Sequence, residues 1–277
     1  MKKIVTVQDI SCVGRCSLTV ALPIISAMGV ETSVLPTAVL STQTVFKNFT
    51  FHDLTDEIES ISAHWRSMGL TFDGIYTGYL GSFKQLELMS EFVDEFRGNG
   101  ILLVDPVMGD GGKFHSGFTP DFAKGMAQLC GKADIIVPNL TEASLLLDVP
   151  YIGENYSEDY IKDMLRGLTA LGAKKAVITT VSFRPGELGA MAYDSESDEF
   201  YSCFGPKIDG HYHGTGDIFT SAFMGAVMNE LSLGEALRVA VDYTCECIRL
   251  TADDPRDKAF GVNFEKAIPM LIRSIGK

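Results

Sequence analysis

The chain has 277 residues, 46% of them hydrophobic and 21% charged, with a formal net charge of −13; this balance suits a packed soluble protein and excludes a disordered chain. Nucleic acid is excluded as the leading partner, because phosphate backbones need clustered Lys and Arg to neutralise them. No apolar run approaches the roughly 18 residues needed to span a bilayer, and the six cysteines include no Cys-x-x-Cys pair that would suggest structural zinc.

The N-terminus, Met1-Lys-Lys-Ile-Val-Thr-Val, enters a strand pattern directly and lacks the apolar core of a signal peptide, so a cytoplasmic location is expected. Residues 3–8 form the first predicted strand, followed by a helix over 18–28, a strand over 32–40, a helix over 54–68 and a strand over 74–77. The alternation continues with a helix over 83–96, a strand over 101–104, a helix over 121–129 and a strand over 135–137. Helices over 142–147 and 158–171 then precede a strand over 176–179. The strands are rich in Val and Ile, and the helices space their apolar residues by three and four. Such alternation predicts a mainly parallel sheet covered on both faces. After Thr180 the pattern changes: residues 188–193 and 199–204 read as a hairpin on the sheet's edge, joined by Asp194-Ser-Glu-Ser-Asp198. The remainder, 218–229, 233–250 and 264–275, is helical. No repeat or linker interrupts the chain, so one domain over 1–277 is expected.

In open α/β sheets, ligands bind beyond the carboxyl ends of the strands. Asp9 and Ser11 follow the first strand, Ser41 to Thr44 the second, Gly78-Tyr79 the third, Asp105 to Gly112 the fourth, Asn139 to Glu142 the fifth and Thr180 the sixth. The strongest local signal is Gly214-Thr215-Gly216-Asp217 at the start of a helix. Its glycines allow close approach of a ligand, and the free N–H groups of a helix start suit phosphate. Asp217 read in isolation could equally be a helix cap. Asp105-Pro-Val-Met-Gly-Asp110 and Pro138-Asn139-Leu-Thr-Glu142 add carboxylates that can hold Mg²⁺ through its waters, although Asn139 also suits a cap.

Together with Gly78-Tyr-Leu-Gly-Ser82, these motifs occur in the order of the ribokinase-like superfamily, and the sequence resembles its pyridoxal kinase branch over nearly the whole chain. The resemblance implies a three-layer α/β/α fold and transfer of the ATP γ-phosphoryl group to the 5′-hydroxymethyl group of a B6 vitamer. It implies Asp217 as catalytic base, with Gly214, Thr215 and Gly216 stabilising the phosphoryl group. Asp105, Asn139, Thr179, Thr180 and Lys207 correspond to ATP or phosphate positions, and Asp110 and Glu142 to metal positions. Asp9, Ser11, Ser41, Thr44 and Tyr79 correspond to positions around the vitamin ring. ATP, Mg²⁺, K⁺ as a second candidate ion, and a homodimer follow from the same resemblance.

Two departures matter. Many pyridoxal kinases read Gln-Ser-His where this chain has Gln8-Asp9-Ile10-Ser11, and Val137 stands where some relatives have a threonine near ATP. A carboxylate at position 9 can face a protonated pyridine nitrogen or the amino group of an aminopyrimidine. The second reading is therefore a hydroxymethylpyrimidine or phosphomethylpyrimidine kinase. That group usually has Cys in place of Asp217 and lacks the Gly109-Asp110 pair. A non-catalytic nucleotide-binding protein of the same fold is the third, and retention of Asp217 with both glycines weighs against it.

Overall fold

The computed structural model describes residues 1–255 and 258–276. β1 (Lys3–Ser11) leads through α1 (Leu18–Ala27) to β2 (Glu31–Leu40), β3 (Phe51–Asp53) and α2 (Thr55–Ser67). Next come β4 (Gly74–Thr77), α3 (Phe83–Phe96), β5 (Ile101–Val104), β6 (Gly109–Asp110), β7 (Lys113–Phe114) and α4 (Pro120–Cys130). They are followed by β8 (Ile135–Ile136), α5 (Leu140–Leu146), α6 (Glu158–Ala170), β9 (Lys175–Val181), β10 (Glu187–Asp194) and β11 (Glu199–Pro206). The rest is α7 (Thr215–Met228), α8 (Leu233–Ala252), two 3₁₀ turns at Lys258–Phe260 and Phe264–Lys266, and α9 (Ile268–Ser274).

Nine strands form one sheet in the order β11-β10-β9-β8-β5-β4-β1-β2-β3. The six from β9 to β2 are parallel, while β3 and the β10–β11 hairpin are antiparallel additions at the two edges. Alternating side chains of one strand serve both faces. Val5 and Val7 of β1 enter the core under α2 to α6, whereas Ile4 enters the core under α1, α7, α8 and α9. In the first of these cores Phe72, Phe92 and Phe96 pack around Trp65. Each fully buried ring of this kind contributes about 1.5–3 kcal/mol of hydrophobic stabilisation.

Four elements differ from the sequence reading. β1 runs on to Ser11, so Asp9 and Ser11 lie within a strand rather than after it. The register of β1 on β2 shifts between Gln8 and Ile10, where Thr37 and Ala38 together oppose Asp9. Pro36, next to this bulge, has no N–H to continue the ladder, and a bulge re-aims the side chains beside it. β3 pairs with β2 at the sheet's far edge without a Val or Ile run. Residues 109–114, given no element in the sequence reading, form the two-stranded hairpin β6–β7. The expected helix over 264–275 is broken into a 3₁₀ turn and α9. Pro269 fits only the first turn of a helix, because it lacks an N–H and clashes with the preceding turn.

Candidate active site

The loops after β5 and β8, the last residues of β9 and the start of α7 converge on a cleft of about 250 Å³ at the carboxyl edge of the sheet. Of the residues singled out in the sequence, Asp105, Asp110, Asn139, Glu142, Thr179, Thr180, Gly214, Thr215, Gly216 and Asp217 all line it.

Gly214 makes the turn into α7 with φ +77°, a left-handed conformation open to glycine at little cost. An added Cβ there would lie 2.1 Å from the carbonyl oxygen of Arg15, so the turn is packed directly on the loop over residues 12–17. That loop is fastened elsewhere: the Arg15 N–H donates to the Phe260 carbonyl at 2.9 Å, and its guanidinium donates to Glu265 at 2.7 Å. Ser17, at φ 50°, directs its backbone N–H at the Asp217 carboxylate and its side chain at Asp9. Burial, and then the neighbouring Asp9 charge, push Asp217 up to about 7 against the Ser17 N–H.

Behind Asp217 lies a second, more enclosed set of groups. Asp9 and Ser11 are both buried, and Ser11 Oγ donates to Asp9 Oδ2 at 3.3 Å. Burial raises the Asp9 carboxyl above the usual range despite bonds from Ser17 and Ser11. Tyr79 sits close enough to feel the Asp9 charge, and its ring meets Phe118 edge-on at 5.9 Å. Cys16 also belongs here. Its thiol is pushed up to about 12, chiefly by burial and then by Asp217, so it is a neutral, poorly nucleophilic group.

The floor of the cleft is built from reciprocal caps. Asn139 caps α5 by accepting from the Glu142 N–H at 2.9 Å, and its Nδ2 donates to the Gly109 carbonyl at 2.9 Å. Both Glu142 oxygens accept backbone N–H groups, Asn139 N at 2.9 Å and Met108 N at 3.1 Å, which ties the β5–β6 segment to α5. Burial and the nearby Asp105 raise the Glu142 carboxyl well above its ordinary value. Asp105 accepts from Thr220 Oγ1 at 2.9 Å and is pushed up to about 8 by burial and then by Asp217. Asp110 is exposed on the hairpin rim, where its Oδ1 accepts the Gly111 N–H. Thr180, β-branched yet at φ 61°, is strained. Its Oγ1 accepts from the α5 N–H of Leu140, and its neighbour Thr179 bridges Asn139.

This geometry gives Glu142 a structural part beside any metal role. Glu142→Gln leaves one of two buried backbone N–H groups facing an amide NH₂, at a cost of about 1–3 kcal/mol. The expected result is a fall in Tm of at least about 2 °C with a raised magnesium requirement. An unchanged Tm would remove the capping role, and an unchanged magnesium titration the metal role.

Other expected residues lie outside the cleft. Lys207 is exposed at the end of β11, and its backbone N–H donates to the Gly186 carbonyl. Ser41 Oγ accepts from the Thr50 N–H at 2.9 Å, closing the loop over 41–50, and Thr44 is exposed on that loop. Gln43 is the residue turned inward: it is buried against Gly14, and its Nε2 has no protein partner. Sequence reasoning passed over Gln43, and also over His115, His211 and His213, which line the cleft. The signal for two of them was the His-Tyr-His run directly before Gly214.

Fold and site together are those of a kinase. The chain belongs to the family described as phosphomethylpyrimidine kinase, whose family model matches residues 22–262. It is 31% identical to pyridoxal kinase from Lactobacillus plantarum, with a TM-score of 0.90 covering 99% of this chain and 97% of that one. A Bacteroides thetaiotaomicron protein, provisionally described as a phosphomethylpyrimidine kinase and crystallised with pyridoxal, is 40% identical. Its TM-score is 0.93, covering 98% of this chain and 95% of that one. Pyridoxal kinase of Dictyostelium discoideum is 25% identical over 244 residues, 82% of this chain and 79% of the relative. The three-layer architecture, with its mainly parallel sheet and edge hairpin, is therefore that of the ribokinase-like pyridoxal kinases.

Proposed function

We propose that this protein is an ATP-dependent kinase of vitamin B6 that phosphorylates the 5′-hydroxymethyl group of pyridoxal, pyridoxine or pyridoxamine. The observation that carries the reading is the place of Asp217: it lines the cleft and also feels the charge of the buried Asp9 behind it. A carboxylate there can accept the proton of a hydroxyl presented from the Asp9 side to a phosphoryl group in the cleft. The N–H groups of residues 214–217 would hold charge on the transferring group, and Ser17 N–H keeps the base oriented.

The donor set fits Mg²⁺ bound largely through phosphate. Among the described residues no group of three or more His, Cys, Asp or Glu is arranged to hold a metal by itself. Magnesium needs only one or two carboxylates when phosphates and water complete its shell. Asp110 would hold it directly, with Asp105 and Glu142 behind; it would supply neutralisation of phosphate charge.

The same family description supports phosphorylation of a hydroxymethylpyrimidine as second reading, and Asp9 is the residue that favours it. Turnover with the three B6 vitamers and with hydroxymethylpyrimidine decides between them: the B6 reading requires substrate-dependent ATP consumption with a vitamer. Asp9→Ser is expected to change the ratio of kcat/KM between vitamers and pyrimidine by at least about tenfold, because a buried polar group discriminates against a ring that leaves it unpaired. Unchanged ratios would move Asp9 out of ring recognition and bring Ser11 forward. A homodimer in the cytoplasm is the accompanying expectation. No helix among the described residues is long and apolar enough to cross a membrane.

A further inference from the structure

The cleft that would receive the polyphosphate has an unusual charge balance. Among the described residues it is lined by four carboxylates, Asp105, Asp110, Glu142 and Asp217, and by no Lys or Arg. Among the described cations near it, the Arg15 guanidinium donates to Glu265 at 2.7 Å, and Lys258 Nζ lies 5.0 Å from the centroid of the Tyr212 ring on the cleft's edge. The side chains of the lining that can carry positive charge are those of His115, His211 and His213. They come from two walls. His115 follows the β6–β7 hairpin and is fixed by its N–H donating to the Met108 carbonyl at 2.9 Å, while His211 and His213 stand just before α7, their rings edge to face at 4.8 Å. His115 and His211 are both exposed to the cleft's solvent. Among the described residues, neither ring belongs to the core or to a helix cap.

We propose that His115 and His211 are further nucleotide-binding residues, which donate ring N–H bonds to the polyphosphate from two separate segments of the cleft wall. A phosphate oxygen is a strong acceptor for such donors, and charge-assisted bonds are roughly twice as strong as neutral ones. Backbone N–H groups at the start of α7 can bind one phosphate group, but they cannot reach along a chain of them. Histidines on two walls can. This inference rests on the kinase reading and names the groups by which that site would take its donor.

The test is titration of ATP, ADP and adenosine, the last by competition, into the parent protein and into His115→Ala, His211→Ala, the double variant and His211→Lys, all with Mg²⁺. Each single variant is expected to lose about threefold to tenfold in ATP affinity, and the double variant tenfold or more, a modest effect because the rings are exposed. ADP should lose less, and adenosine less than twofold. His211→Lys should recover most of the ATP affinity, which a packing role for the ring would not allow. An ATP Kd in the double variant within twofold of the parent's, or an equal loss for adenosine, overturns the assignment. A parent protein that binds no nucleotide overturns the kinase reading itself, and this inference with it.

Discussion

Asp217→Asn is expected to lower kcat by about two to four orders of magnitude, the range for loss of a positioned general base, while Tm and nucleotide affinity stay close to the parent's. Asn is nearly isosteric and can still accept the Ser17 N–H. What it cannot do is take the proton of the attacking hydroxyl. The pH profile carries a second signature. Asp217 is pushed up to about 7 in the free protein, so parental kcat/KM should fall as pH drops below that value and the base becomes protonated. The sign for stability is opposite. A carboxyl whose folded pKa is raised binds its proton more tightly in the fold, so its contribution is present near pH 4 and is lost as pH rises through about 7. Asp217→Asn should therefore match or exceed the parent's Tm at pH 8. A folded variant with near-parental kcat would end the catalytic assignment and leave Asp217 as a helix-start residue.

Gly214→Ala should damage both structure and activity, and Gly216→Ala serves as its internal control. At Gly214 an added methyl would lie 2.1 Å from the Arg15 carbonyl oxygen, and the φ of +77° is disfavoured for alanine. The left-handed conformation alone costs about 1–2 kcal/mol, and relief of the backbone clash must displace either the start of α7 or the loop over 12–17. Because the Ser17 N–H and the turn amides would move together, a fall in kcat/KM of at least about a hundredfold is expected, comparable with loss of one preorganised donor. At Gly216 an added methyl would meet no atom within 4 Å, and the residue has no positive φ. Gly216→Ala should keep the parental Tm and lose activity only through a ligand that approaches the backbone there. Equal Tm values for the two variants would contradict the packing described at Gly214.

Most of the sheet was legible in the sequence, because buried parallel strands such as Ile101–Val104 read as unbroken apolar runs between amphipathic helices. The cleft residues were legible for a related reason: they follow those strands immediately, and glycines mark the turns. What the sequence concealed depends on pairing between distant segments. The bulge opposite Asp9 exists only when β1 meets β2, and the two-residue strands β6 and β7 are too short to show a period. The choice of Gln43 over Thr44 as the inward residue is a matter of loop conformation over 41–50, which alternation does not govern. The double acceptance by Glu142 was hidden likewise, since Met108 is brought to it by the fold rather than by spacing.

The loop over 12–17 touches Asp9 through Ser17, Asp217 through the same residue, Gly214 through the Arg15 carbonyl and Phe260 through the Arg15 N–H. On the proposed reading, a vitamer beside Asp9 and a nucleotide at the turn of Gly214 would therefore push against one piece of backbone. Neither can shift it without altering the fit of the other. The two ligands would in this sense be thermodynamically linked, and linkage is symmetrical: whatever factor the vitamer imposed on nucleotide affinity, the nucleotide would impose on the vitamer.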